Sequence, residues 1–270
     1  MKKSDIIKLA FVGILVLAAY YPTIRWMVGR WTGIETYYSH GFLVLPISIF
    51  LVWLKRSELA KLSIKPNQWG WLLFGAGVLI HAVSMSLKVY FSSSFSLMFV
   101  VTGLTLLFFG KEYLKKLAFP ISFLLFMLPL PLVAIANIAF KLKIFAAQVS
   151  TFIVRSMGVP VIRQGSMIRT RHAELMVEDP CSGIRSLIAL IALGALMAYL
   201  SNTSKAKKAV IFLSSVPIAV GANVIRIVAL TLASEMYGTE FALGKFHDVM
   251  GILVFVFAFV GLSLVNKMLE

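Results

Sequence analysis

The stretch A-V-I-F-L-S-S-V-P-I-A-V-G-A-N-V-I-R-I-V-A-L-T, residues 209–231, is 23 residues long and carries a single charge, Arg226. As a helix rising about 1.5 Å per residue it would be about 34 Å long, enough to cross roughly 30 Å of hydrocarbon. Similar runs lie at about 6–22, 41–54, 69–87, 93–110, 118–131, 183–200 and 248–265. Together they predict about eight transmembrane helices, and the chain reads as an all-α polytopic membrane protein. Composition agrees: 60% of the 270 residues are hydrophobic and only 14% charged, more apolar than a water-soluble domain. The formal net charge of +15 does not point to nucleic acid, because the Lys and Arg residues cluster between apolar runs instead of lining one soluble face.

Those clusters set the topology. The N-terminus and the joints Lys55–Lys65, Lys111–Lys116 and Ser201–Lys208 are short and rich in lysine, so the positive-inside rule makes them cytoplasmic. Both termini then lie inside, and segments 23–40, 88–92, 132–182 and 232–247 face outward. The chain is read as a single domain, 1–270, in the cell membrane. Segment 132–182 carries six Lys or Arg residues on the outer side, which long translocated segments tolerate.

Within that segment, 132–158 is apolar enough to pass for another span. Lys141 and Lys143 would then sit near mid-bilayer, at roughly 2.5–3.5 kcal/mol each. Asn137, Lys141, Gln148 and Arg155 recur at spacings of four and seven, one polar stripe of a helix, so an outer-face amphipathic helix is expected. Pro129 and Pro131 would stop the preceding span. Residues 159–180, with a turn signal at Gln164-Gly165, are expected to form a short extended segment ahead of the single cysteine, Cys181.

Ionisable groups in or beside spans carry the functional signal, because hydrocarbon makes them costly without partners. The eleven acidic residues all avoid span centres, which speaks against a carboxylate-based ion carrier. The other exceptions are His81, Asn223 and Arg226 within spans, and Cys181 and His247 at span mouths; His81 shows no evident partner and reads as packing. On the topology above, Cys181, Asn223, Arg226 and His247 all come to the outer face. Arg226 lies about six residues from the outer end of its helix, roughly 9 Å deep and within snorkelling reach. Asn223, three residues earlier, shares its face.

Their chemistry is that of acyl transfer. A thiol becomes nucleophilic as the thiolate, which a neighbouring cation or a helix N-terminus favours. His247 could take the thiol proton and return it to a leaving amine, and the guanidinium fork of Arg226 suits an oxyanion or a substrate carbonyl. Arg185, four residues after Cys181, could pair with it or with Glu178 or Asp179; His40, in Y-S-H-G, could line the site or bind substrate. Four scattered histidines and one cysteine have no metal-ligand spacing, and no cofactor is expected.

In C-S-G-I-R-S-L at 181–187, A-N-V-I-R at 222–226, His247 opening the last span, Y-S-H-G-F at 38–42 and F-M-L-P-L-P at 126–131, the chain resembles the exosortase/archaeosortase family of multipass membrane cysteine peptidases. The resemblance implies catalytic roles for Cys181, Arg226 and His247, with Ser182, Gly183, Arg185, Asn223 and His40 supporting them or contacting substrate. It also implies, as partner, a secreted protein with a C-terminal signal made of a short motif, a transmembrane helix and a basic tail. The acyl group would pass to Cys181 as a thioester and then to an acceptor. Two other classes stay open on the residues alone: a small-solute transporter or channel, and a non-enzymatic membrane scaffold.

Overall fold

The computed structural model describes residues 3–33, 37–177 and 183–270. Its contacts gather into two compact units, Met1–Leu130 and Pro131–Glu270. The division falls within L-P-L-P, where two prolines interrupt the helical run.

The first unit begins with α1 (Lys3–Ala19) and α2 (Tyr21–Thr32), which meet at a 63° bend. Pro22 lacks the N–H that would bond back into the preceding turn, so the helix breaks there. Side chains from α5 (Gly70–Ser86) and α6 (Tyr90–Phe108) hold the break. Tyr20 shares a 2.6 Å hydrogen bond with Ser96, and Thr23 another of 2.6 Å with Ser93. His81 bonds Ser93 through Nδ1 at 2.8 Å, stacks on Tyr20 with ring centroids 3.9 Å apart, and hydrogen-bonds the backbone of Ala19. His81 therefore has the partners that the sequence did not reveal. They lie some 60 residues away on α1–α2 and 12 residues away on α6, outside any local spacing. α5 and α6 pack as a tight antiparallel pair because small residues face each other: a Cβ on Gly103 would come within 2.6 Å of the Phe74 nitrogen.

Further along are α3 (Gly41–Leu54), the short α4 (Arg56–Ala60) and α7 (Lys111–Phe123), which runs into a 3-10 turn, Leu124–Met127. The expected apolar span 118–131 is thus not one helix: α7 runs through Pro120 and ends at Phe123, and Pro129 and Pro131 deny the rest continuous helical bonding. The F-M-L-P turn is fastened by side chains from the Y-S-H-G region and α2. Trp31 Nε1 donates to the Met127 carbonyl at 2.9 Å, His40 Nε2 to that of Phe126 at 3.1 Å, and the Tyr38 hydroxyl accepts from Leu130 N–H at 3.1 Å.

In the second unit α8 (Leu132–Ser156) leads into three short strands, β1 (Ile162–Gln164), β2 (Met167–Arg169) and β3 (Glu174–Met176), paired antiparallel in that order. Helices α9 (Ile184–Leu200), α10 (Lys205–Tyr237), α11 (Thr239–Leu243) and α12 (Lys245–Leu269) follow. The central element is α10. On one side Ala219 and Ala222 pack with Leu190 of α9 and Val254, Ala258 and Leu262 of α12. On another, Val224 and Ile227 meet Ala146, Ala147 and Val154 of α8, Ile168 of β2, and Val177. Leu175 of β3 closes a third cluster with Leu230 and Met250.

By length and apolarity, α6, α8, α10 and α12 can each cross a membrane, and the bent α1–α2 pair makes a fifth. α3, α5 and α9 are apolar but shorter. The expected total of eight thus exceeds what helix length alone supports.

Candidate functional site

Asn223 and Arg226 sit one turn apart on α10 and are almost wholly buried, at 3% and 7% exposure. Arg226 Nη2 lies 2.7 Å from Nε2 of His247, in the first turn of α12. A guanidinium only donates. The Nε2 lone pair of His247 is therefore the acceptor and the ring proton sits on Nδ1, which faces Asp248 Oδ1 at 3.9 Å, too far for a hydrogen bond. Gly251, one turn further along α12, lies beside this pair: a Cβ there would meet Arg226 Nη2 at 3.6 Å, an ordinary van der Waals contact.

Gly183 begins α9 with φ +80°, the left-handed region that favours glycine. A Cβ on it would come within 2.7 Å of Asn223 Cγ. Glycine is thus required twice over, and the start of α9 is seated directly on the polar face of α10. Arg185 follows in the first turn of α9, half-buried, and its Nε has no hydrogen-bond partner among the described residues.

Arg185, Arg226 and His247 border a cavity of about 590 Å³. Its polar end holds Arg185, Ser186, Arg226, His247 and Asp248, and the cavity continues along α12 past Gly251 to Ile252, Phe255 and Val256. Those last three are 68%, 41% and 47% exposed on the outside of an apolar helix. One end of the cavity is thus cationic and hydrogen-bonding, and the other is greasy.

The structure brings Arg185, Arg226 and His247 around one cavity and sets Gly183 against Asn223. Cys181 and Ser182 lie outside the described residues, as do Glu178 and Asp179. His40 belongs to the first unit, where it holds the Phe126 carbonyl. Burial pushes its imidazole below the usual histidine range, opposed by that hydrogen bond. Among the described residues no group of three or more His, Cys, Asp or Glu side chains is placed to hold a metal ion. Sequence reading passed over Asp248 and Gly251. The H-D pair opening a span was a usable signal for the first, whereas Gly251 gains meaning only once Arg226 is seen to reach it.

A family model described as transmembrane exosortase matches residues 26–264. The chain belongs to that family. As an exosortase it is a membrane-embedded sorting enzyme, a multi-pass protein whose substrate is a protein bearing a C-terminal sorting signal. No curated protein and no solved structure matches it. The matched range takes in every motif that carried the resemblance, from Y-S-H-G-F to His247.

Proposed function

We propose that this exosortase is a cysteine peptidase or transpeptidase that cuts the C-terminal signal at the outer membrane face through a thioester on Cys181. The observation that carries the reading is the 2.7 Å contact between Arg226 and His247 at the polar end of a cavity running down an apolar helix. Chain connectivity supports the thiol as third partner. In the sequence Cys181 stands two residues before Gly183, the glycine that packs on Asn223.

The proposed reaction uses these groups in order. A substrate carbonyl draws the Arg226 guanidinium toward its oxygen and releases His247 Nε2. That nitrogen takes the Cys181 thiol proton, and the thiolate attacks the carbonyl carbon. Arg226 donates to the resulting oxyanion. Collapse breaks the C–N bond, the imidazolium returns its proton to the leaving amine, and the acyl group remains on sulfur. Water or an acceptor amine then takes the acyl group from the thioester. The greasy end of the cavity suits the apolar helix that follows the scissile bond. The lysine-rich joints support a cytoplasmic assignment of their side by the positive-inside rule, and Asn137, Lys141 and Gln148 on the exposed face of α8 favour an interfacial position for that helix.

The test is co-expression with a secreted protein carrying a C-terminal helix and basic tail, with substrate size followed by gel. Wild type should remove the tail, Cys181→Ser should not, and Arg226→Lys should slow removal about 10²-fold, because a point charge replaces the fork. Equal processing by wild type and Cys181→Ser would return the transporter and scaffold readings.

A further inference from the structure

Strand β3 lies at the edge of its sheet and ends five residues before Cys181 in the sequence. Its hydrogen-bonding phase follows from the bonds at both ends. Val177 N–H donates to the Ser166 carbonyl at 3.1 Å, and Thr170 N–H to the Ala173 carbonyl at 2.9 Å. In an antiparallel ladder hydrogen-bonded pairs recur every second residue, so Ile168 and Leu175, paired in register, form the bonded pair between them. Glu174 and Met176 fall on the alternate pairs with Arg169 and Met167, and their backbone N–H and C=O groups point away from β2. Among the described residues no hydrogen bond is made to any of these four backbone groups. Both residues are exposed, Met176 at 54%.

The inner face of the strand is tied to the catalytic elements. Leu175 packs on Leu230 and Met250, which lie one turn beyond Arg226 on α10 and beyond His247 on α12. At the tip, Glu235 of α10 accepts from the His172 backbone N–H at 3.1 Å and holds its Nδ1 at 2.9 Å. An open edge is normally a liability that proteins blunt with charge or brevity. Here Glu174 is engaged by Arg169 at 2.7 Å, which leaves the edge at Met176, the end that comes later in the chain, without a charged guard.

We propose that the free edge of β3 is the docking rail for the substrate: the extended segment ahead of the scissile bond adds as a fourth strand, bonding to the N–H and C=O of Met176 and Glu174. This rests on the reading of Cys181 as the nucleophile. Main-chain bonding to an edge supplies affinity and sets the substrate's register whatever its side chains, so the peptide is delivered carbonyl by carbonyl to a thiol five residues beyond Met176.

Proline at an edge position removes an outward N–H without touching the ladder, so the test is Met176→Pro against Met176→Ala, both in the full-length protein in membranes. Loss of one such bond should raise KM about fivefold in Met176→Pro. Its kcat and the rate of Cys181 alkylation should stay at the Met176→Ala values. Equal KM in the two variants would overturn the rail. Should Met176→Pro fail to accumulate, wild-type enzyme is given substrates N-methylated at successive amides before the cleavage site. Sensitivity at alternate amides is expected, and uniform tolerance would overturn the proposal. Cys181→Ser separates the two ideas, since processing that depends on the thiol but ignores Met176→Pro removes the rail alone.

Discussion

Arg226 brings a charge into an apolar helix, a placement that costs several kcal/mol without compensation, and the compensation is visible in the neutral His247 nitrogen that accepts from it. The sequence put both residues on one side of the membrane by counting spans, but could not say that they touch, since 21 positions and a turn separate them. Gly183 shows the opposite case. It stood in the sequence only as part of C-S-G-I-R-S-L, and the structure gives the reason: a positive φ and a wall made by Asn223. Gly183→Ala should therefore cost about 1–3 kcal/mol from the backbone alone. In detergent its melting temperature should fall, while Gly158→Ala, also at positive φ but with open space around it, should fall less.

Among the elements, helices whose apolar runs end in lysine-rich joints or glycine were the legible ones. The run 41–54 is α3, and 183–200 differs from α9 by one residue. Legibility failed wherever long-range partners decide the outcome. The 6–22 run breaks at Tyr20, because Pro22 loosens the backbone and Ser93, Ser96 and His81 catch it. The turn signal at Gln164-Gly165 falls where β1 meets β2, yet nothing local announces that the far turn, 170–173, is clasped to Glu235, 63 residues beyond His172. That clasp is the polar tether of the strand leading to the cysteine. Glu235→Ala should speed amide hydrogen exchange across 167–177, measured by mass spectrometry, with exchange in α5 and α6 unchanged. Equal acceleration in α5 and α6 would mean general loosening instead.

For the molecule as a whole, stability should carry a histidine signature. Burial holds the folded His40 imidazole below the usual range, so the unfolded chain takes up the proton first as pH falls. Stability is full above about pH 6.5 and declines as pH drops through the unfolded value. Thermal unfolding in detergent should show wild type losing more stability than His40→Gln between about pH 7.5 and about pH 5.5. Glutamine keeps a donor for the Phe126 carbonyl but cannot titrate. An equal loss in both proteins would assign the acid sensitivity elsewhere.

The cavity that begins at Arg226 ends among Ile252, Phe255 and Val256, side chains that face out from an apolar helix. On the proposed function, the substrate reaches it sideways, through the plane of the bilayer. Encounter then becomes a search over an area in place of a volume, with both molecules already aligned along the membrane normal. The quantity that governs turnover is the number of signal-bearing proteins per unit of membrane. A modest affinity suffices under such crowding, and selection among substrates falls to whatever is presented to the enzyme as it drifts past.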